Sequence, residues 1–596
     1  MNNRFLPISR SEMKLRGWSQ LDVIIVTGDA YVDHPSYGAA VIGRVLEDAG
    51  YKVGVIAQPN WRSAEDFKRL GPPRLFFAVT AGNLDSMVAN YTANKIPRKD
   101  DDYSPGGRSG FRPDRPSIVY TNRIREAFGS VPVILGGLEA SMRRLTHYDY
   151  WTDSVRRSIL LDSKADMLVY GMGESQALDI ARRFDKGENV RSIGDIRGTV
   201  IVRNSTEGLG NAITIPSFEE MASDKDKFNE AHKAIYRESD PVSGKTIIQA
   251  SGDRYVIQFP PAKPNTAEEL DHIYELPYAR SWHPAYDEKG GVPGFETVRF
   301  SIISHRGCPG ACNFCSLYLH QGKMIQNRSR ESILNEARVI AQRGDFKGTI
   351  TDIGGPTANL YGAECESMQK VGACRNRSCL VPKKCAMLKM GYGRTLRIWR
   401  EIRKIPGIKY VFVGSGVRYD LLLEGYSDLY LKALCQSHIS GQLKVAPEHC
   451  EGPILALMNK PSFDAYEIFL KRFDQANKLA GKKQFLVNYF ICGHPGTRLE
   501  DMLKLSLALE KRGIHPEQVQ DFIPLPMTIS SAMYYSEKDP FTGNQLYVAR
   551  SLSERRMQRA LLQHNNPRNK KYVLEALEKL NSLHLKKQFL HYGSRK

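Results

Sequence analysis

Ten short apolar runs, each closing on a glycine-rich or polar turn, limit the fold of this chain more than any single residue does. Five of them, LDVIIVTG, KVGVIAQ, LFFAVTAG, VPVILGG and ADMLVYG, fall in residues 22 to 174 with helical patterns between them, such as GAAVIGRVLEDAGY closed by Gly50. Strands that alternate with helices make a doubly wound parallel sheet, with ligands beyond the carboxyl ends of its strands. The other five begin at about Val298 to Ile303 and continue through GTITDIGGPTAN, KYVFVGSGVRYD, QLKVAPEHC and QFLVNYFICGHPGTRLED, the order expected of a partial (β/α) barrel. SRESILNEARVIAQRG supplies the first barrel helix, with Ser329 as N-cap and Ser332 as the alternative. The division expected is therefore an α/β domain with extension and linker over 1–297, the barrel over 298–540 and a basic helical extension over 541–596. Between Lys95 and Ser117 the Gly-, Pro- and charge-rich stretch reads as a long loop, a lid or a mobile segment.

The chemistry is concentrated in SHRGCPGACNFCSLYLHQG, where Cys308, Cys312 and Cys315 stand in Cys-x3-Cys-x2-Cys spacing directly after the first barrel strand. A cubane [4Fe–4S] cluster normally takes four thiolates, so three leave one iron open to a small molecule. Structural zinc would need a fourth ligand, from His305 or His320, and usually arrives as two close pairs, which this spacing does not offer. The triplet, with Phe314 before its third cysteine, resembles the signature of radical S-adenosylmethionine (SAM) enzymes. That resemblance implies SAM bound at the open iron and cleaved to a 5′-deoxyadenosyl radical.

Other strings extend the resemblance. Gly354 and Gly355 resemble the Gly-Gly-Glu motif that holds the SAM amino group through backbone carbonyls, with Pro356 in place of the glutamate. Gly493, Pro495, Gly496, Thr497, Glu500 and Asp501 resemble a turn of the methylthiotransferase-like branch, as does the stretch from Pro447 through LALMNKP. From about Trp18 to Asn566 the chain is similar to YgiQ-type radical SAM proteins. The resemblance implies an N-terminal cobalamin-binding-like domain, yet the Asp-x-His-x-x-Gly motif that gives cobalt a histidine is absent: Asp33 and His34 are adjacent. Cobalamin is either bound without a histidine or lost with the fold retained, and the second reading is preferred. Arg418 could fork onto the SAM carboxylate or pair with Asp420. Glu448 and His449 could contact ribose, move a proton or simply end a strand, and His320, Gln321 and Lys323 lie close enough in sequence to shield the cluster.

A second group, Cys365, Cys374, Cys379 and Cys385, follows the Gly-Gly-Pro turn. Thiolate softness admits an auxiliary iron–sulfur cluster or zinc, and unligated thiols are the third reading. Cys435, Cys450 and Cys492 are isolated and read as small buried hydrophobes. Thiols so clustered fit a reducing, cytoplasmic setting, and no stretch is apolar enough for a membrane span. The net charge of +19 suggests an anionic substrate, nucleic acid included. Eleven Lys and Arg against three Glu in residues 551–596 carry much of it, as a solvated helical face or a nucleic-acid contact. The function expected is a radical SAM enzyme served by an external electron donor, its substrate unidentified. The competing reading is a nucleic-acid-binding iron–sulfur protein with a structural or redox-sensing cluster.

Overall fold

The computed structural model describes residues 4–590 except Asn376; Arg595 and Lys596 of the basic extension lie outside the described residues. The five N-terminal runs form β1 (Val23–Thr27), β2 (Val53–Ala57), β3 (Phe76–Thr80), β4 (Val133–Gly136) and β5 (Met167–Val169). They are parallel, in the order β2-β1-β3-β4-β5. Successive side chains of a strand point to opposite faces, so β1 serves two cores. Val23 and Ile25 pack with Ala40, Val41 and Leu46 of α1 (Gly38–Asp48). Ile24 and Val26 pack with Tyr120 and Ile124 of α2 (Pro116–Phe128). Burial on both faces is why these runs are apolar throughout rather than alternating.

Helix α3 (Glu174–Asp185) follows β5. The region read as extension and linker then adds β6 (Thr199–Arg203), β7 (Ala212–Ile215), β8 (Thr246–Ser251) and β9 (Arg254–Gln258) to the same sheet. The order β7-β8-β9-β6-β5 continues it to nine strands, with β6 antiparallel to β5. The loop between Lys95 and Ser117 is anchored rather than loose. Its Arg112 is buried and reaches Asp29, just past β1, at 2.6 Å and Asp101 at 3.1 Å.

The second half supplies β10 (Ser301–Ile303), β11 (Thr349–Ile350), β12 (Asp352–Gly354), β13 (Tyr410–Val411), β14 (Gln442–Glu448), β15 (Phe485–Cys492) and β16 (Gln518–Asp521). Every pairing among them is parallel. Around them lie α4 (Arg330–Ala341), α5 (Tyr392–Ile402), α6 (Phe463–Ala480) and α7 (Leu499–Glu510). Ser329 caps α4 as the sequence suggests, its hydroxyl accepting from the Ser332 N–H at 3.1 Å.

The C-terminal extension is a packed layer, not a solvated tail. Helices α8 (Leu552–Leu562), α9 (Lys570–Lys579) and α10 (Lys586–Phe589) bury Met557, Leu561, Val573, Leu577 and Phe589 against Met502, Leu505 and Leu509 of α7. Charge counting missed the apolar face that alternates with the charges. Arg555, one of the eleven cations, is itself buried and donates to Tyr150 of the N-terminal domain and to the Phe522 carbonyl at 2.8 Å.

Candidate active site

The cysteine loop leaves the carboxyl end of β10 and is pinned by groups the motif does not include. Asn313 is anchored to the main chain at two points: its N–H donates to the Met458 carbonyl at 3.0 Å and its side-chain amide to that of Leu457 at 2.9 Å. Asn459 donates to the carbonyls of Gly310 and Ala311 at 3.1 and 3.0 Å. Ala311 is held at φ +44°. A side chain at Gly310 would lie 2.6 Å from Arg418 Nη1 and 3.3 Å from Cys308 Sγ, so only glycine lets the guanidinium approach the thiols. All three cysteines are half-buried. Burial raises the Cys308 thiol, with Arg418 opposing, and pushes Cys315 up to about 12.

Arg418 makes the Asp420 pair, Nε at 3.1 Å from Oδ1 and Nη2 at 2.8 Å from Oδ2, while Nη1 turns to Cys312 Sγ at 3.9 Å. Phe314 stands edge-on to His494 at 6.3 Å. Glu448 ends β14 at a register shift with φ +67°, a strained backbone for a non-glycine, buried and 3.5 Å from Lys460. Burial raises its carboxyl despite that lysine. His449 accepts at Nδ1 from the Glu451 N–H at 3.0 Å.

The glycine pair is explained by packing. The Gly354 carbonyl accepts from both the N–H and the hydroxyl of Ser304, at 2.7 and 3.0 Å, so it is committed within the protein rather than open to an amino group. A methyl at Gly355 would meet the His305 ring at 2.5 Å. Sequence reasoning passed over Asn459, although it lies in the LALMNKP string, and passed over Ser304 and the pair Arg306–Glu174. That last ion pair spans 2.6 Å with both side chains buried, and joins the residue two before Cys308 to the start of α3.

Three of the second cysteine group share one apolar cluster, while Cys374 is exposed. Cys385 is buried with Leu360, Leu380 and Leu388, and Cys308, Cys365 and Cys379 pack against the same cluster. Burial first, then the neighbouring thiols Cys365, Cys374 and Cys385, push Cys379 up to about 11. The two cysteine groups therefore adjoin. Of the isolated three, Cys435 and Cys492 are buried, and Cys450 is half-buried.

Two cavities flank the site. One, of about 560 Å³, lies between the glycine-rich strand ends of the N-terminal sheet, at Gly82, Gly136 and Gly171, and the barrel at His305 and Gly355. His320 borders it, Nδ1 at 3.1 Å from Ser141 Oγ. His34 faces elsewhere: it accepts from the Ser36 N–H at 3.1 Å, its other nitrogen lies 3.4 Å from Arg280, and its ring is edge-on to Phe295. The other cavity, of about 1100 Å³, runs past Pro309 and Cys365 and is lined by Lys263, Lys323, Arg394 and Arg397.

Residues 5–301 match the family described as Radical SAM N-terminal, residues 302–508 the Radical SAM superfamily, and residues 517–584 a Domain of unknown function (DUF3362). A UPF0313 protein of Methanosarcina mazei is 50% identical over 97% of this chain and 97% of its own length. One from Clostridium botulinum (strain Kyoto / Type A2) is 51% identical over 97% of this chain and 90% of its own. Among solved structures, the cobalamin-dependent S-adenosylmethionine radical enzyme OxsB with aqua-cobalamin bound shares the fold at TM-score 0.50 and 10% identity, over 97% of this chain and 74% of that one.

Proposed function

This chain belongs to the UPF0313 family and is a radical SAM enzyme, and from that premise we propose that Cys308, Cys312 and Cys315 hold a [4Fe–4S] cluster at which SAM binds. The observation that carries the reading is the half-buried thiol triplet at the mouth of the barrel, its loop fixed by Asn313 and Asn459, with one guanidinium edge of Arg418 facing it. Such a cluster, when bound and reduced by an external donor, would supply the electron that splits SAM into methionine and a 5′-deoxyadenosyl radical able to take hydrogen from the substrate. The chain's own part is positioning and exclusion of water. Arg418 offsets thiolate charge, Phe314 and His494 close one side, and Lys460 and Glu448 offer polar contacts to the nucleoside end of SAM. Anaerobic incubation with SAM and a reductant should release 5′-deoxyadenosine, and replacing all three cysteines by Ala should abolish both that product and the visible absorbance of reconstituted protein. Cleavage that survives the triple substitution would sink the assignment.

Cys365, Cys374, Cys379 and Cys385 are assigned as ligands of an auxiliary iron–sulfur cluster or zinc. Reconstituted protein should carry metal beyond one cubane, and that excess should vanish when Cys374, Cys379 and Cys385 become Ser. The cations around the larger cavity support an anionic substrate reached past Pro309. A second reading concerns the cavity between the sheet and the barrel, whose place beyond the ends of the parallel strands β3, β4 and β5 favours a large cofactor of the kind OxsB binds. A corrin there would be held by shape and apolar contact, because His34 is committed to Ser36 and packed beside Arg280. Cobalamin titration followed by the corrin spectrum tests this, and His34→Ala should leave that spectrum unchanged.

A further inference from the structure

A cluster of possible ligands lies far along the chain from the cysteines, where the C-terminal layer meets the barrel. Among the described residues, Glu510, His515 and His564 are the one group of His, Cys and carboxylate side chains whose ligand atoms all fall within 4.8 Å of one another. Glu510 is the last residue of α7, His515 lies in the connection to β16, and His564 follows α8.

His564 is buried, and its Nδ1 lies 3.1 Å from the Phe589 carbonyl, which can only accept, so Nδ1 carries a proton and Nε2 of the neutral ring would present a lone pair. That Nε2 lies 2.9 Å from Glu510 Oε1. On the other side of the same oxygen, His515 Nδ1 lies 3.1 Å away and accepts from the Asn565 amide at 2.8 Å, so it too is presented as an acceptor. Glu510 Oε1 is buried and receives no hydrogen bond of acceptable geometry among the described residues. A carboxylate oxygen and two imidazole nitrogens, all in acceptor form, thus converge. One proton could serve one of these contacts but not both.

We propose that Glu510, His515 and His564 bind a divalent cation, with Zn²⁺ the ion their chemistry suits, and that the bound ion fastens the C-terminal helices to the barrel. Two imidazoles and a carboxylate are a zinc donor set, and a tetrahedral ion with bonds of about 2.0–2.1 Å holds neighbouring ligand atoms roughly 3.3 Å apart. The 2.9 and 3.1 Å separations are close to that spacing. The ion would take the place of the Asn565 amide on the His515 lone pair, and water would fill the fourth position on the exposed His515 side. The carbonyl of Phe589 supplies the partner that orients a ligating histidine. One ion would thereby join α7, the α7–β16 connection, α8 and α10.

The test uses the full-length chain with its cysteine sites first reconstituted anaerobically with iron and sulfide. After chelator treatment it is titrated with zinc, and zinc and iron per chain are counted by elemental analysis. Wild type should retain one zinc more than Glu510→Gln or His515→Ala, with equal iron in all three, and zinc should raise the melting temperature of wild type alone. His515 is exposed, so its substitution should leave the fold intact, which the melting curve of the zinc-free variant checks. Cobalt in place of zinc should give visible ligand-field bands without thiolate charge transfer. Equal zinc in all three proteins, or a cobalt spectrum showing only thiolate charge transfer, would overturn the site, while leaving the cysteine assignments to their own test.

Discussion

At the scale of single residues, the glycines around the cysteine loop carry the sharpest constraint. A methyl group on Gly355 would stand 2.5 to 2.8 Å from three atoms of the His305 ring, which is itself fully buried. The ring is tied in place, because its Nδ1 lies 2.9 Å from the Ser304 hydroxyl, and Ser304 is bonded to Gly354. Gly355→Ala should therefore cost about 1–3 kcal/mol as an overpacked core does, read as a lower denaturation midpoint, and His305→Ala in the same chain should recover part of it. No recovery would mean that the glycine is needed for its backbone rather than for the space.

At the scale of elements, ion pairs and apolar faces decide which helices stay in place. Asp345, just past α4, is held by Arg299 at 2.6 Å and Arg343 at 2.9 Å. Burial alone would raise its carboxyl, but the hydrogen bonds from Arg343 and Arg299 outweigh that and hold it at about 2, below its ordinary 3.8. A carboxyl lowered on folding stabilises above its unfolded value and ceases to as pH falls through the folded one. Asp345→Asn should thus cost about 1 kcal/mol near neutrality, allowing for solvent screening, and the gap in urea midpoints should close between roughly pH 4 and pH 2. A gap independent of pH would refute the charge argument. Leu561 of α8, fully buried against α7, should cost about 2–5 kcal/mol on truncation to Ala; a loss below 0.5 kcal/mol would mean that this layer is dispensable to the fold, a bound set by what surface substitutions cost. The two helices were legible to different degrees. The strands and α4 announce themselves through period and cap, because β1 and Ser329 depend on neighbours in sequence. The packing of α8 onto α7, the commitment of the Gly354 carbonyl to Ser304 and the clamp by Asn459 depend on residues 50 to 150 positions apart, and local pattern carries no record of them.

At the scale of the whole molecule, the N-terminal sheet and the barrel face each other across the smaller cavity, and the cysteine loop is tied to both. Arg306 precedes Cys308 by two residues and bonds Glu174, the first residue of α3, at 2.6 Å and the Tyr274 hydroxyl at 3.0 Å. Both charges are buried, so neither is solvated if the other is removed. Breaking such a pair from one side costs about 3–5 kcal/mol, whereas replacing both partners with neutral groups costs far less. Glu174→Gln should lower the melting temperature and perturb the electron paramagnetic resonance signal of the reduced, reconstituted protein, since the strain is delivered two residues from Cys308, the proposed cluster ligand. The double variant Glu174→Gln with Arg306→Met should restore most of the stability. If the single variant changes stability but not the resonance signal, the pair holds the two halves together without setting the geometry at Cys308, and the coupling between the cavity and the cysteine loop would have to run through His320 and Ser141 instead.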